Sequence, residues 1–237
     1  MSRDDPYQVV AGLDRAIAFL TCEHASQRMP EPWSWSDRDK RLRDTHWAYD
    51  LGAREITTEL ARALEAPAVL ARFSRLLIDA NRPEDSDTLF LPAAEDDVIE
   101  LNIDLDPADS KRRLDAYYRP YHQAVDRELA RSHAEIVLAV HTFTPVYNGH
   151  ERTMEIGVLF DREQALADEL SRVLADAGMR VAMNQPYSGK DGLIHSAEVH
   201  ADGHDRRALE IEVRQDRATD PAFRARLVHV LADFLSG

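Results

Sequence analysis

A single cysteine, Cys22, stands in 237 residues. No disulfide can form within the chain, and a reducing compartment is the expectation. Positive charge is also scarce: 29 Lys and Arg against 43 Asp and Glu leave a formal net charge of −14. That argues against nucleic acid or an anionic membrane as a partner, since both call for a basic surface. No stretch approaches the ~18–20 uninterrupted apolar residues of a membrane span. Residues 1–6 hold no apolar signal core, so a cytoplasmic protein without a leader is expected. Several motifs are missing too: a glycine-rich phosphate loop, a dinucleotide fingerprint, a Gly-x-Ser-x-Gly elbow around Ser26, and His-Glu-x-x-His. Any metal site must therefore be assembled from dispersed residues.

What is present is ordinary for a globular chain, with 44% hydrophobic and 30% charged residues. The length suits one domain, residues 1–237, able to bury a sizeable core. Strand-like and helix-like segments alternate. Strands are predicted over 16–21, 68–73, 75–80, 136–140, 155–160, 180–183 and 208–213. Helices are predicted over 45–64 with Asp44 as N-cap, over 110–133 with a kink or split at Pro120, over 162–177 and over 221–235. Segments 81–109 and 185–205 read as long loops, the first with room for one helical turn. The alternation predicts an α/β fold with a parallel or mixed sheet and helices on both faces.

Chemistry-bearing residue types gather at the ends of predicted strands. The strand over 16–21 runs into Cys22-Glu23-His24-Ala25-Ser26, and that over 136–140 runs into His141-Thr142. The last strand carries Glu210, Glu212 and Arg214 on one face. Ligands of open α/β sheets bind beyond the carboxyl ends of strands. Two histidines and a glutamate delivered there suit a hydrolytic metal site. The plainer reading is two unrelated histidines bonded to loop backbone, beside an edge strand with one solvated face. His46 and Asp50, four apart on the predicted helix, share a face; either completes a metal site, or Asp50 orients His46. Arg75, Asp79, Asn81 and Arg82 offer groups for a carboxylate and an amide oxygen, against a plain Arg75–Asp79 surface ion pair. Cys22 reads as a small buried residue. His195, His200 and His204 match no metal spacing and read as solvated loop histidines.

Six segments, in order from residue 22 to 216, resemble the N-formylglutamate amidohydrolase family. They are Cys22-Glu23-His24-Ala25-Ser26 with Pro30, the stretch from His46 to Ala53, Ser74 to Arg82, His141-Thr142-Phe143-Thr144-Pro145, Asn184 to Gly189, and Glu210 to Asp216. The resemblance implies a zinc-carboxypeptidase-like fold, a three-layer α/β/α sandwich with a mixed, mostly parallel central sheet. It implies Zn2+ held by His24 and His141, Glu212 as general base, and Arg75 polarising the scissile carbonyl. Asn81 and Arg82 would hold the substrate carboxylate, Tyr187 would cover the substrate, and Thr142 and Arg214 would add contacts. Carboxypeptidases place a glutamate ligand three residues after the first histidine, where this chain has Gln27. The third ligand must come from elsewhere: His46 is the first choice, with Asp50 and Glu23 as alternates. Glu23-His24-Ala25-Ser26 and His46 also depart from the pattern of the histidine-breakdown enzymes. The expected activity is zinc-dependent hydrolysis of a small N-acyl amino acid, such as N-formylglutamate. A zinc carboxypeptidase or peptidoglycan-type amidase is one rival, and a non-catalytic carboxylate-binding protein the other.

Overall fold

The apolar run of 136–140 predicts a strand covered on both faces. In the computed structural model, which describes residues 5–13, 15–95 and 97–236, it lies in the strand Ile136–Phe143, buried at every position in the middle of a seven-stranded sheet. The described elements are, in chain order, β1 Tyr7–Val10, β2 Ala18–Cys22, α1 Ala53–Leu64, β3 Ala68–Ala71, β4 Ala93–Ala94, β5 Asp97–Val98, α2 Pro107–Arg113 and α3 Arg119–Arg131. They continue with β6 Ile136–Phe143, β7 Val146–Tyr147, β8 His150–Glu151, β9 Ile156–Leu159, α4 Gln164–Asp176, β10 Val181–Met183, α5 His195–Gly203, β11 Arg207–Arg214, α6 Gln215–Ala218 and α7 Pro221–Leu235. Residues Met1–Asp4, which open the stretch that holds no apolar signal core, lie outside the described residues.

The sheet runs β1-β3-β2-β6-β11-β9-β10. Strands β3, β2, β6 and β11 are parallel, β9 and β10 run against them, and β1 is antiparallel at the other edge. Alternation along each strand sends side chains to two cores. Leu209, Ile211 and Val213 of β11 pack with Ile56, Leu170 and Leu231 of the helical layer α1, α4 and α7. Ala208 joins Val137, Tyr121, Val125 and Ala201 on the side of α3 and α5. This is the α/β/α sandwich with a mixed sheet that the sequence implied. Among the described residues no helix is long and apolar enough to cross a membrane.

Several predicted elements are corrected. The helix over 45–64 exists only as α1, because Gly52 at its N-cap has φ 87° and cannot continue a right-handed helix backwards. His46 and Asp50 therefore sit on turns rather than on one helix face. The predicted strand over 75–80 is a series of turns: Leu76, Leu77 and Ile78 are fully buried, and their apolar character answers to burial rather than to a sheet. Within 185–205 lies α5. Within 81–109 lie the β4–β5 hairpin and the start of α2, whose N-cap Asp106 accepts from Ala108 N. The helix predicted over 110–133 is divided beside Pro120. A π turn, Leu114–Tyr118, joins α2 to α3 and places the proline in the first turn after it, where its missing N–H is tolerated. Strand β11 is no edge strand, since β6 and β9 flank it.

Candidate metal centre and active site

The chain leaves β2 for β3 on one side, then returns to β6 on the other, so a crevice opens at the carboxyl ends of β2 and β6. His24 follows β2 by two residues and His141 lies in β6. Asp50 reaches them from the turn before α1, its backbone N–H donating to His24 O at 2.9 Å. His24, Asp50 and His141 converge, all buried. His141 Nδ1 lies 3.0 Å from His24 Nδ1 and 2.9 Å from Asp50 Oδ2, and His24 Nδ1 lies 3.4 Å from Asp50 Oδ2. Asp50 thus forms the third corner; His46 stands on the wall of the same cavity, its ring against Trp47.

The outward nitrogens of both rings face carboxylates. His24 Nε2 is 2.7 Å from Asp79 Oδ1, and His141 Nε2 is 3.0 Å from Glu23 Oε2. Each ionised carboxylate can take an Nε2–H, and both Nδ1 atoms face the centre, the arrangement of metal-ligating histidine. Glu23 is itself fixed by hydrogen bonds from Tyr121 OH and Ser196 Oγ, each 2.8 Å. Burial alone would raise its carboxyl, yet His141, Ser196 and Tyr121 hold it at about 2. Burial would likewise lower the His141 imidazole, but Glu210, Asp50 and Glu23 push it well above its ordinary range. The centre thus calls for positive charge. Its donor set, two imidazole nitrogens and a carboxylate oxygen, suits a divalent ion of the zinc type. Ligand bonds of ~2.0–2.1 Å in a tetrahedron put donors about 3.3 Å apart, close to the observed triangle.

A cavity of about 330 Å³ opens above the triangle. Glu212 lines it, and its Oε2 is buried without a hydrogen-bond partner among the described residues. Burial, then Glu210, raises its carboxyl well above the ordinary range while His141 acts the other way. Register pairs Glu212 with His141 across β11 and β6, which sets the two on one face. Arg75 lines the cavity with its Nη2 2.7 Å from Asp79 Oδ2 and its Nη1 3.6 Å from Asp50 Oδ1. Arg82, Tyr187 and Thr142 line it as well. Thr142 N donates to Asp50 Oδ2 at 3.1 Å, and its hydroxyl is buried without a partner among the described residues. Asn81 also lines it, but its amide is engaged: Nδ2 with Leu193 O and Glu210 Oε2, Oδ1 with Ser196 N. Arg214 is not in the lining. Its guanidinium donates to Asp216, at 2.7 and 3.0 Å, and to the carbonyls of Arg152, Thr153 and Met154.

Residues 18–218 match the N-formylglutamate amidohydrolase family. The chain belongs to that family. The N-formylglutamate deformylase of Pseudomonas putida is 29% identical over 217 residues, covering 75% of this chain and 76% of that protein. The Agrobacterium tumefaciens gene product Atu2144 is 31% identical and superposes with a TM-score of 0.89 over 98% of this chain and 94% of that one. The N-formylglutamate amidohydrolase of Ralstonia eutropha, at 21% identity and a TM-score of 0.73 over 98% of both chains, shares the fold.

In this member of the N-formylglutamate amidohydrolase family, some site residues carry no motif in the sequence. Asp79 reads there as half of an ion pair with Arg75, yet it also orients His24. Tyr121 and Ser196, 98 and 173 residues from Glu23, meet it only through tertiary packing. The loop histidines are a correction as well. His200 is buried on α5, its Nδ1 2.7 Å from Asp126 Oδ1 and its Nε2 2.8 Å from His122 Nδ1. A helix through His195–Gly203 turns that side chain inward, where a loop would have left it in water.

Proposed function

We propose that this protein is a metal-dependent amidohydrolase that cleaves the amide bond of a small N-acyl amino acid, N-formyl derivatives included, with zinc as its ion. The observation that carries the proposal is the buried triangle of His24 Nδ1, His141 Nδ1 and Asp50 Oδ2, set beside the partnerless Glu212 Oε2 on one cavity floor. His24, Asp50 and His141 would hold the ion, which supplies when bound a Lewis acid for the amide carbonyl and a lowered pKa for water.

The chain's own groups do the rest. Glu212 receives a proton from the attacking water at Oε2 as the C–O bond forms, then passes it to the nitrogen as the C–N bond breaks. Arg75, its guanidinium steadied by Asp79, donates toward the developing oxyanion. Arg82 binds the substrate carboxylate. Tyr187, at the cavity mouth with its ring 5.5 Å from the Arg152 guanidinium carbon, shields the reacting amide from bulk water. A cytoplasmic location belongs to the same proposal and is supported by the free, buried Cys22.

The test is product release from N-formyl and N-acetyl amino acids by zinc-reconstituted protein. Hydrolysis by wild type and its loss in Glu212→Gln support the proposal; no hydrolysis of any N-acyl amino acid by metal-loaded wild type contradicts it.

A further inference from the structure

The charges lining the cavity are unequal in number and in freedom. Asp50, Asp79, Glu210 and Glu212 bring four acid groups to it, against two guanidinium groups. Arg75 is engaged by Asp79 and Asp50. Arg82 differs: its Nη1 donates to Asn81 O at 2.9 Å, and among the described residues no carboxylate pairs with it. Apart from the histidines of the metal triangle, the other polar side chains in the lining bring no further guanidinium or amine among the described residues. The His46 imidazole is pushed down by burial and by Arg75, so it is neutral at neutral pH. The Thr88 hydroxyl is bonded to Ser86, and the Thr144 hydroxyl to Arg152. Arg152 lies outside the lining, its guanidinium carbon 4.8 to 5.5 Å from the ring centres of Tyr147, Phe143 and Tyr187.

One wall is apolar. Leu76, Leu91 and Trp47 line the cavity and belong to a small hydrophobic cluster with Leu42, Ala94 and Ile99. The β4–β5 hairpin and the turns around Trp47 build that cluster, so the wall is part of a packed core. A second substrate carboxylate laid against it would lose its water and find no unpaired guanidinium on that wall, which is costly.

We infer, resting on the amidohydrolase reading above, that the substrate is an N-acyl amino acid with a single carboxylate, held by Arg82, and an uncharged apolar side chain packed on Trp47, Leu76 and Leu91. An N-acylated dicarboxylic amino acid is a poor substrate by the same argument.

The experiment compares kcat/KM for N-formyl-leucine, N-formyl-phenylalanine, N-formyl-glutamate and N-formyl-leucinamide, with wild type and Arg82→Gln. The expected result is leucine and phenylalanine derivatives at least about 30-fold above glutamate, equivalent to ~2 kcal/mol. The leucinamide falls at least about tenfold below leucine in wild type, and Arg82→Gln closes that gap. Glutamate equal to or better than leucine overturns the inference and leaves the amidohydrolase proposal standing. So does leucinamide cleaved as well as leucine, or a gap that persists in a folded Arg82→Gln. The wild-type comparisons decide the matter even if Arg82→Gln does not fold. No cleavage of any of the four by metal-loaded wild type overturns both.

Discussion

Asp79 joins His24 to Arg75: one carboxylate oxygen lies 2.7 Å from His24 Nε2 and the other 2.7 Å from Arg75 Nη2. A single buried side chain thus fixes the tautomer of a candidate ligand and the position of a candidate oxyanion donor. Burial would raise its carboxyl, but Arg75 and His24 hold it well below the ordinary range.

Replacing Asp79 with Asn keeps the shape and removes the charge. Metal affinity is expected to fall about 10- to 100-fold, read by competition with a chromophoric chelator. Unchanged affinity would mean that Asp79 does not tune the site.

Glu212→Gln is expected to cut turnover by ~10²–10⁴-fold while metal stays bound. Stability should hold or rise, because the change removes a carboxyl that burial and Glu210 already disfavour and whose Oε2 has no partner. Steady-state kinetics and a thermal melt check both halves. A destabilised variant with turnover near wild type would reverse the assignment.

Away from the metal centre, His122 gives a pH prediction with a definite sign. Burial, then His200, lowers its pKa from the ordinary 6.5 to about 3, and Glu23 and Asp126 only partly oppose this. Between those values the unfolded chain binds the proton and the folded chain does not, so this contribution to stability is complete above pH ~6.5 and declines as pH falls toward ~3. Melting temperatures at pH 7.5 and 5 should differ more for wild type than for His122→Gln. Equal differences would show that His122 does not supply that slope.

Gly157 pairs with Glu212 across β9 and β11, and a Cβ there would lie 2.0 Å from Gln185 O. Gly157→Ala must displace the segment that carries Tyr187. A loss of about 1–3 kcal/mol, the usual scale of overpacking, is expected in chemical denaturation, together with a raised KM. A variant as stable as wild type would mean that the 185–187 backbone shifts freely.

Much of the architecture was legible because its signals are local. The continuous apolar run at 136–140 marked a central strand, and alternation at 208–213 put Glu210, Glu212 and Arg214 on one face. What that face touches depends on the neighbouring strands, and it is the flanking of β11 by β6 and β9 that excludes the edge-strand alternative. The stretch 75–80 misled because buried turns and strands both draw apolar residues. Spacing of 46 and 50 misled because Gly52 delays the helix. Asp50 meets His24 and His141 through a backbone turn, Asp79 meets His24 through tertiary folding, and Arg214 is bonded to Asp216. None of these is a matter of spacing along the chain.

The central claim is that His24, Asp50 and His141 hold a divalent ion. Its most direct test is the metal content of protein purified without chelator and reconstituted with zinc, for wild type, Asp50→Ala and His46→Ala. The account predicts about one ion per chain in wild type and in His46→Ala, and its loss in a folded Asp50→Ala. A wild type that takes up no metal, or an Asp50→Ala protein that binds it as wild type does, would contradict it.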